Sequence, residues 1–265
     1  MLRKLLMKNV QLSLLKKLSQ WAVLLCAAAV LVQCSSIEVN PDDPDSLFAE
    51  AERLYTDEQY LLALEKLRDI KNRFPYSPRA TDAELRIADT YFAQESFLES
   101  ESAYEIFREL HPSYPRSDYV QYQIGMSYFN LIPENSSRDL SAAYRSIDSF
   151  NLLKQRYPES KFAAQADERI IEARRRLAEH EAVVAGFYFN RRHFLSASYR
   201  YAALLKDFSN TGYDEEALYR LGQCYYNIRM YDNAKSTLDQ LMKQFPQSSY
   251  LGSARSMIEE ISKKN

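Results

Sequence analysis

The chain has 265 residues, of which 46% are hydrophobic and 26% are charged, and it contains five glycines against twenty tyrosines. These proportions are ordinary for a folded protein. The scarcity of glycine and the absence of alternating Val/Ile/Thr runs argue against a β-sheet fold.

The N-terminal segment has the pattern of an export signal. Residues 1–17 contain five basic and no acidic side chains, and an apolar run follows from Trp21 to Val32. This run of about 12 residues is too short for a typical membrane-spanning helix, which needs about 20. We therefore predict a lipoprotein signal peptide over residues 1–33, starting at Met1 or Met7.

The apolar run leads directly into a cysteine. Leu31-Val32-Gln33-Cys34 resembles a bacterial lipobox, in which the cysteine becomes the first mature residue and is acylated; Gln33 departs from the usual small residue. An ordinary secreted protein with a cysteine here is the alternative. Without residues 1–33 the chain keeps 29 basic and 36 acidic residues, a formal charge of −7, which disfavours binding to nucleic acid.

The segment after the signal predicts a tether and then a helix. Residues 34–46, which begin with the acylated cysteine, are acidic and contain proline, and this composition favours a flexible tether. Asp45 or Ser46 is expected to cap the first helix. Attachment to the membrane is expected through the lipid anchor.

Five aromatic-rich helical segments follow, and each ends in a similar short turn. The last of them fits the tetratricopeptide pattern of about 34 residues. In this pattern Gly222 and Ala234 let two helices approach closely, while Tyr225 and Leu238 fill the space between them. The five turns are Phe74-Pro75, His111-Pro112, Tyr157-Pro158, Phe208-Ser209 and Phe245-Pro246.

The same frame fits the four earlier segments. The sequence therefore predicts an all-α superhelical solenoid of five tetratricopeptide-like helix pairs, with repeats 1–3 over residues 47–160 and repeats 4–5 over residues 161–265. An insertion over residues 131–140 is predicted to be a loop. Residues 161–189 predict one helix of roughly 40 Å. Such solenoids bind partners along an extended surface.

The stretch from His111 to Gly125, HPSYPRSDYVQYQIG, stands between the second and third repeats. Together with the lipobox, the five repeats and the length, it resembles the BamD family, lipoprotein subunits of the outer-membrane β-barrel assembly machine. The resemblance implies a lipid-anchored protein on the periplasmic face of the outer membrane of a Gram-negative bacterium. Its expected partners are the POTRA domain of a BamA-type barrel protein, unfolded outer-membrane proteins and other lipoproteins of the machine.

The resemblance also implies particular binding residues. Arg200 matches a family arginine that contacts an acidic residue of the POTRA domain, although a solvated helical arginine is the alternative. The N-terminal repeats are expected to hold an aromatic C-terminus by ring packing, with its carboxylate near Arg53 or Arg86. The alternative is that most of these rings are inter-helix core, in particular Tyr91 and Tyr128, which lie at the packing positions of the repeat. The ring candidates are Tyr55, Tyr60, Tyr91, Phe92, Phe97, Tyr122 and Tyr128.

The sequence contains no catalytic or cofactor-binding constellation. The three histidines lack the spacing of a metal site with cysteine or acidic clusters, and no phosphate-binding loop occurs. Cys224 is expected to be a small buried side chain. We therefore predict a protein that is not an enzyme and uses no cofactor. The positions of a known carboxylate-clamp asparagine are occupied by Asp89, Met126 and Gln223, which disfavours a chaperone-tail receptor.

Two other functions remain open at this stage. One is a periplasmic tetratricopeptide scaffold for cell division or pilus assembly, and the other is a peptide-binding co-chaperone without a BamA-type partner. The division-linked family carries an N-terminal coiled coil, but no heptad pattern precedes Phe48.

Overall fold

The structure, a computed structural model, describes residues 39–135 and 139–264, so the predicted signal peptide and Cys34 lie outside the described residues. In these ranges all regular elements are α-helices, and none of them is long and apolar enough to cross a membrane. The helices are α1 (Pro44–Thr56), α2 (Tyr60–Arg73), α3 (Pro78–Ala93), α4 (Phe97–Leu110), α5 (Ser117–Asn130), α6 (Ser141–Arg156), α7 (Ala163–Asn190), α8 (Phe194–Asp207), α9 (Asp214–Asn227), α10 (Tyr231–Gln244) and α11 (Leu251–Lys264).

The chain divides into two units, Met1–Leu47 and Phe48–Asn265. In the described part of the first unit, the Asp43 carboxylate accepts hydrogen bonds from the backbone N–H groups of Asp45 and Ser46, at 3.2 and 3.1 Å. Asp43 is therefore the N-cap of α1, and the prediction of Asp45 or Ser46 is wrong. Pro44 follows at the first helical position, where its missing N–H is not needed.

The second unit is a stack of antiparallel helix pairs, which confirms the predicted all-α tetratricopeptide-like solenoid. Close approach within a pair depends on small residues at the crossing. A Cβ on Gly222 would lie 2.5 Å from Leu238 Cδ2, and a Cβ on Gly125 would lie 2.5 Å from Phe150. Because Leu238 and Phe150 are fully buried, no space exists for a larger residue on the first helix.

The turn between the two helices of a pair is built the same way in four repeats. A residue in the left-handed region closes each turn, namely Glu58, Glu95, Arg192 or Arg229, with φ between 59° and 63°. Aromatic rings lie three residues before and two residues after this left-handed residue, and the two rings meet across the turn. These ring pairs, 5.3–5.9 Å apart, are Tyr55–Tyr60, Phe92–Phe97, Phe189–Phe194 and Tyr226–Tyr231.

The turns between repeats confirm the sequence prediction. The residues Phe74, His111, Tyr157, Phe208 and Phe245 are the C-caps of α2, α4, α6, α8 and α10, and each donates its N–H to the carbonyl four residues earlier. Proline follows in four of them and cannot continue the helix.

Three further features concern length. No helix occurs in the described residues of the insertion at 131–140, and the long helix is confirmed as α7, whose 28 residues span about 42 Å. Helix α11, which follows the fifth pair, was not predicted from the sequence. Its buried side chains are Ala254 and Ile261. This extra helix covers an apolar face of the last pair, as terminal helices of solenoids do.

Candidate partner-binding surfaces

The first helices of repeats 1 to 3 are joined by a continuous polar network. On α3, the Arg86 guanidinium donates two hydrogen bonds to the Glu52 carboxylate of α1, at 2.5 and 2.9 Å, and a third to Asp89 at 3.2 Å. Such a bidentate arrangement fixes the orientation of both side chains. The network therefore sets how α1 and α3 lie against each other.

Asp89 extends the same network to α4 and α5. Its Oδ1 atom accepts hydrogen bonds from the hydroxyl groups of Tyr104 and Tyr119, at 2.5 and 2.7 Å. Burial, with the nearby Asp89 charge, raises the pKa of Tyr119 to about 12. At neutral pH both phenols therefore stay protonated and keep donating to the carboxylate.

Of the predicted peptide-binding residues, Tyr55, Tyr60 and Arg86 form one group. The Tyr55 and Tyr60 rings meet edge to face at 5.7 Å, and the Arg86 guanidinium lies over the Tyr55 ring at 4.9 Å. All three side chains are half-buried, so each presents part of its surface to solvent. This group provides two aromatic surfaces and a stacked cation in a small area.

The other predicted arginine is paired with its own helix. Arg53 donates to Glu50 at 2.7 and 2.9 Å and to Asp57 at 3.0 Å. The hydrogen bond from Arg53 holds the pKa of Glu50 below its ordinary value, which keeps that carboxylate charged. Arg53 and Arg86 are thus both balanced by two acidic neighbours, a feature that the repeat pattern does not reveal.

The remaining ring candidates have structural contacts. Phe97 packs on Phe92 in the turn of the second repeat, at the position that Tyr60 has in the first. Tyr122 stacks on Phe162 at 4.7 Å, and the hydroxyl of the buried Tyr128 donates to Glu101 at 2.5 Å. The Tyr91 hydroxyl accepts a hydrogen bond from Arg68 at 2.6 Å. Tyr128 is therefore core, as its position in the repeat predicts, whereas Tyr91, Tyr122 and Phe97 are half-buried.

Arg200 lies on α8, the second helix of the fourth repeat. Its side chain is 46% exposed and its Nη1 lies 3.2 Å from Glu181 on α7. Tyr199, the adjacent residue, exposes 70% of its surface, and Leu195 one turn earlier exposes 53%. The helix thus presents an aromatic ring, an aliphatic side chain and a guanidinium to solvent, which is the composition of many interface hot spots.

The sequence did not identify Tyr119 and Asp89 as members of the N-terminal network. Tyr119 lies in the DYVQY stretch that carries the family resemblance, and Asp89 occupies the position of a clamp asparagine. Their hydrogen bonds join residues that are 15 and 30 positions apart. The repeat frame aligned these positions within each repeat, but it did not pair them across repeats.

These features define a tetratricopeptide-type solenoid, a class of proteins whose surfaces bind other proteins. Residues 40–238 match the family described as "YfiO: Outer membrane lipoprotein". A relative from Neisseria meningitidis serogroup A, named outer membrane protein assembly factor BamD, is 31% identical over 216 residues, which cover 78% of this chain and 81% of the relative. A Vibrio cholerae relative of the same name is 28% identical over 235 residues, which cover 84% and 96%. The chain belongs to the YfiO family of outer membrane lipoproteins.

Proposed function

We propose that this protein is a lipid-anchored periplasmic adaptor of the β-barrel assembly machine. In this role it binds the POTRA domain of a BamA-type protein and unfolded outer-membrane proteins, and it promotes their insertion into the outer membrane. The observation that carries the proposal is the family match over residues 40–238, together with relatives named as outer membrane protein assembly factors. The proposed role is non-enzymatic and requires no cofactor.

The proposed anchor limits where the protein works. Between Cys34 and Pro44, the first residue of α1, stand nine residues, so the two Cα atoms lie at most about 36 Å apart. An acylated Cys34 would therefore keep the start of α1 within this distance of the membrane surface. Confinement of this kind raises the effective concentration of the adaptor at its membrane partner without any further contact.

Arg200 is the proposed contact with the POTRA domain. In its pair with Glu181 the arginine side chain is 46% exposed and the carboxylate side chain 16%, and the shortest N–O distance of 3.2 Å is longer than the 2.7–2.9 Å of a strong charge-assisted hydrogen bond. A carboxylate of the partner would take the place of Glu181 in bidentate geometry, which lysine cannot reproduce. Tyr199 and Leu195 would supply apolar area beside this charged contact.

The group of Tyr55, Tyr60 and Arg86 is the proposed site for aromatic C-terminal segments. Both rings are half-buried, and an incoming aromatic side chain would stack on their exposed part. Arg53, Arg86 and Phe97 are proposed to line the same N-terminal surface. A carboxylate would approach either arginine only by displacing one of its acidic partners.

The test of the adaptor function is co-purification from detergent-extracted membranes. The wild type should recover a BamA-type barrel protein, and Arg200→Glu should lose it because the new carboxylate repels the partner's acid. Lys206→Glu, an exposed charge reversal on the same helix, is the matched control and should retain the partner. Absence of a BamA-type protein from the wild-type sample would refute the adaptor function. Its retention by Arg200→Glu would refute this interface.

Peptide binding is tested with a matched pair of turn variants. Tyr60→Ala and Phe194→Ala remove rings from the same position of two repeats, so both should lower the unfolding midpoint by a similar amount. Only Tyr60→Ala should weaken binding of a fluorescent peptide ending in an aromatic residue. Equal loss of affinity in both variants would show that the effect comes from stability alone.

A further inference from the structure

The two turns that follow α4 and α6 enclose an open groove that has no place in the proposed function. Its volume is about 460 Å³, and its apolar lining consists of Pro112, Tyr114, Pro115, Tyr157 and Pro158. Three of these residues lie in the stretch from His111 to Gly125 that carries the family resemblance. Neither of the two proposed binding surfaces uses them, so this part of the stretch is left without a role.

Both tyrosines of the groove depart from the chemistry of the equivalent turns. Three turns carry a serine three residues after the helix-ending residue, and its hydroxyl accepts a hydrogen bond from the backbone N–H two positions on, at 3.1–3.2 Å. These serines are Ser77, Ser160 and Ser248, whereas Tyr114 stands at this position after α4. Phenylalanine ends α2, α8 and α10, whereas Tyr157 ends α6. Neither phenol hydroxyl is therefore required to close a turn of this kind.

The walls of the groove are held in place by contacts of the two turns. The Ser160 hydroxyl of the second turn donates to the Asp118 carboxylate beside the first, at 2.8 Å. The Tyr114 ring meets the buried Phe107 edge to face at 5.0 Å, and Tyr157 packs against the core between α6 and α7. A partner would therefore bind a preformed surface, and little conformational entropy of this protein would be lost.

The groove offers hydrogen-bond donors beside its rings. The hydroxyls of Tyr114 and Tyr157 form no hydrogen bond within residues 39–135 and 139–264, and no buried polar side-chain atom in these ranges lacks a partner, so both hydroxyls reach solvent. Each hydroxyl is free to donate to a carbonyl of a bound chain. A polyproline II segment has carbonyls without internal hydrogen bonds, and its prolines have no N–H that would need an acceptor. Aromatic rings that pack on pyrrolidine rings, with donors for the carbonyls, match such a segment.

The charge of the lining favours a basic residue beside the prolines. Its charged side chains are Asp118 and Glu159, and neither forms an ion pair within the described part of the chain. Asp118 accepts hydrogen bonds from a hydroxyl and a backbone N–H, both uncharged, and Glu159 is exposed. The adjacent Arg116 and Lys161 do not line the groove but lie over aromatic rings. The two carboxylates therefore attract lysine or arginine and repel an acidic segment.

We propose that this groove binds an extended proline-containing segment of a partner protein, with a lysine or arginine next to the prolines. The pyrrolidine rings would pack on Tyr114 and Tyr157, the two hydroxyls would donate to backbone carbonyls, and the basic side chain would lie near Glu159. The proposal goes beyond the adaptor function, because it needs neither the POTRA contact of Arg200 nor the N-terminal aromatic group.

The test compares three blocked hexapeptides on the detergent-solubilised full chain by calorimetry. Ala-Pro-Pro-Ala-Pro-Arg should bind about tenfold more tightly than Ala-Ala-Ala-Ala-Ala-Arg, because it loses less conformational entropy and makes the ring contacts. Ala-Pro-Pro-Ala-Pro-Glu should bind about fivefold more weakly than the arginine peptide at low salt, and this difference should shrink at high salt. Equal affinity of the wild type for the proline and alanine peptides would overturn the proposal. Equal affinity for the arginine and glutamate peptides would overturn the choice of a basic segment.

Two variants test whether the peptide binds in this groove. Tyr157→Phe should weaken binding of the arginine peptide about fivefold through one lost hydrogen bond, and it should leave the unfolding midpoint unchanged because Phe245 ends α10 in the same way. Glu159→Lys should also weaken binding about fivefold at low salt, whereas Gln247→Lys, at the same exposed position of the last turn, should not. Binding that persists unchanged in both Tyr157→Phe and Glu159→Lys would overturn the proposal. Equal losses in Glu159→Lys and Gln247→Lys would reflect net charge alone and overturn the role of Glu159.

Discussion

Replacing Gly222 by alanine should destabilise the protein, although alanine is the better helix former. In α9 the added Cβ would lie 2.5 Å from Leu238 Cδ2 and 2.7 Å from its Cγ, where ordinary contact begins at 3.4 Å. Leu238 is fully buried, so it cannot retreat by about 1 Å without displacing other core side chains. Overpacking of this size costs about 2 kcal/mol, and the gain in helix propensity is about 1 kcal/mol. The expected net loss is about 1 kcal/mol.

Gly186→Ala provides the matched control. It lies in the interior of α7, and its new Cβ would meet only the Tyr201 hydroxyl at 4.0 Å. The same substitution should therefore stabilise the protein by up to about 1 kcal/mol. The free energies of unfolding come from urea denaturation followed by circular dichroism. The difference of about 2 kcal/mol between the two variants isolates the steric contribution.

A second background tests the cause of the effect. In Leu238→Ala the opposing side chain is absent, so adding Gly222→Ala should then stabilise by about 1 kcal/mol instead of destabilising. This reversal of sign is expected only if the contact with Leu238 is responsible. If Gly222→Ala stabilises the otherwise wild-type protein as much as Gly186→Ala does, the close approach of α9 and α10 does not depend on glycine.

Two further predictions concern the turns and the thiol. Glu95→Gly should stabilise the protein by about 1 kcal/mol in urea denaturation, because φ is 63° at this position. As a control, Ser102→Gly on the exposed face of α4 should destabilise it by about 0.5 kcal/mol. If both changes in the free energy of unfolding had the same sign, the assignment of backbone strain to Glu95 would be wrong. Burial raises the pKa of Cys224 from 9.0 to about 12, so its thiolate is about a thousandfold rarer at pH 8 and should react with a disulfide reagent only after unfolding. Because the folded state holds the thiol proton more tightly than the unfolded state, protonated Cys224 contributes its full share to the free energy of unfolding below pH 9, and this contribution is lost as the pH rises towards 12. Rapid labelling of the native protein at pH 8 would refute the raised pKa.

The fold could be predicted from the sequence largely because its determinants are local. The aromatic residue before each proline ends a helix through its own backbone geometry, and the small residues at the crossings recur at fixed spacing. Helix α11 was missed because it follows the last turn and belongs to no complete repeat. Its two buried residues, Ala254 and Ile261, are seven positions apart, a helical spacing that indicates the element once it is sought.

The N-terminal surface was less predictable because its residues depend on partners in other repeats. Tyr60 and Phe97 are candidates for peptide binding in the sequence, but the structure gives them the same turn-closing contact as Phe194 and Tyr231. A stacked cation does not distinguish Tyr55 from its equivalents, because Arg220 lies over Phe189 at 4.8 Å and Lys264 over Tyr226 at 4.5 Å. The difference is that Arg86 donates both hydrogen bonds to Glu52 of another helix, whereas Arg220 donates to Glu216 and Gln223 of its own helix. A ring that repeats in four of the five turns within pairs reflects folding, so functional arguments must rest on what differs between the repeats.

The acidic partners of the two N-terminal arginines determine how an aromatic C-terminus would bind there. Arg86 lies beside Glu52 and Asp89, and Arg53 lies beside Glu50 and Asp57, so each group carries a formal charge of −1. A free carboxylate is repelled by a net negative group at short range, and at this exposure it gains little from either arginine.

Ring packing should therefore dominate recognition on this surface. A peptide with a C-terminal phenylalanine amide is expected to bind the protein at least as tightly as the free acid, measured by fluorescence anisotropy at low and physiological salt. Glu52→Gln should raise the relative affinity for the free acid, because it takes the Arg86 group from a formal charge of −1 to 0 and leaves only Asp89 as its acidic partner. A wild-type preference of tenfold or more for the free acid would show that one arginine exchanges its acidic partners on binding, as the carboxylate contact predicted from the sequence requires.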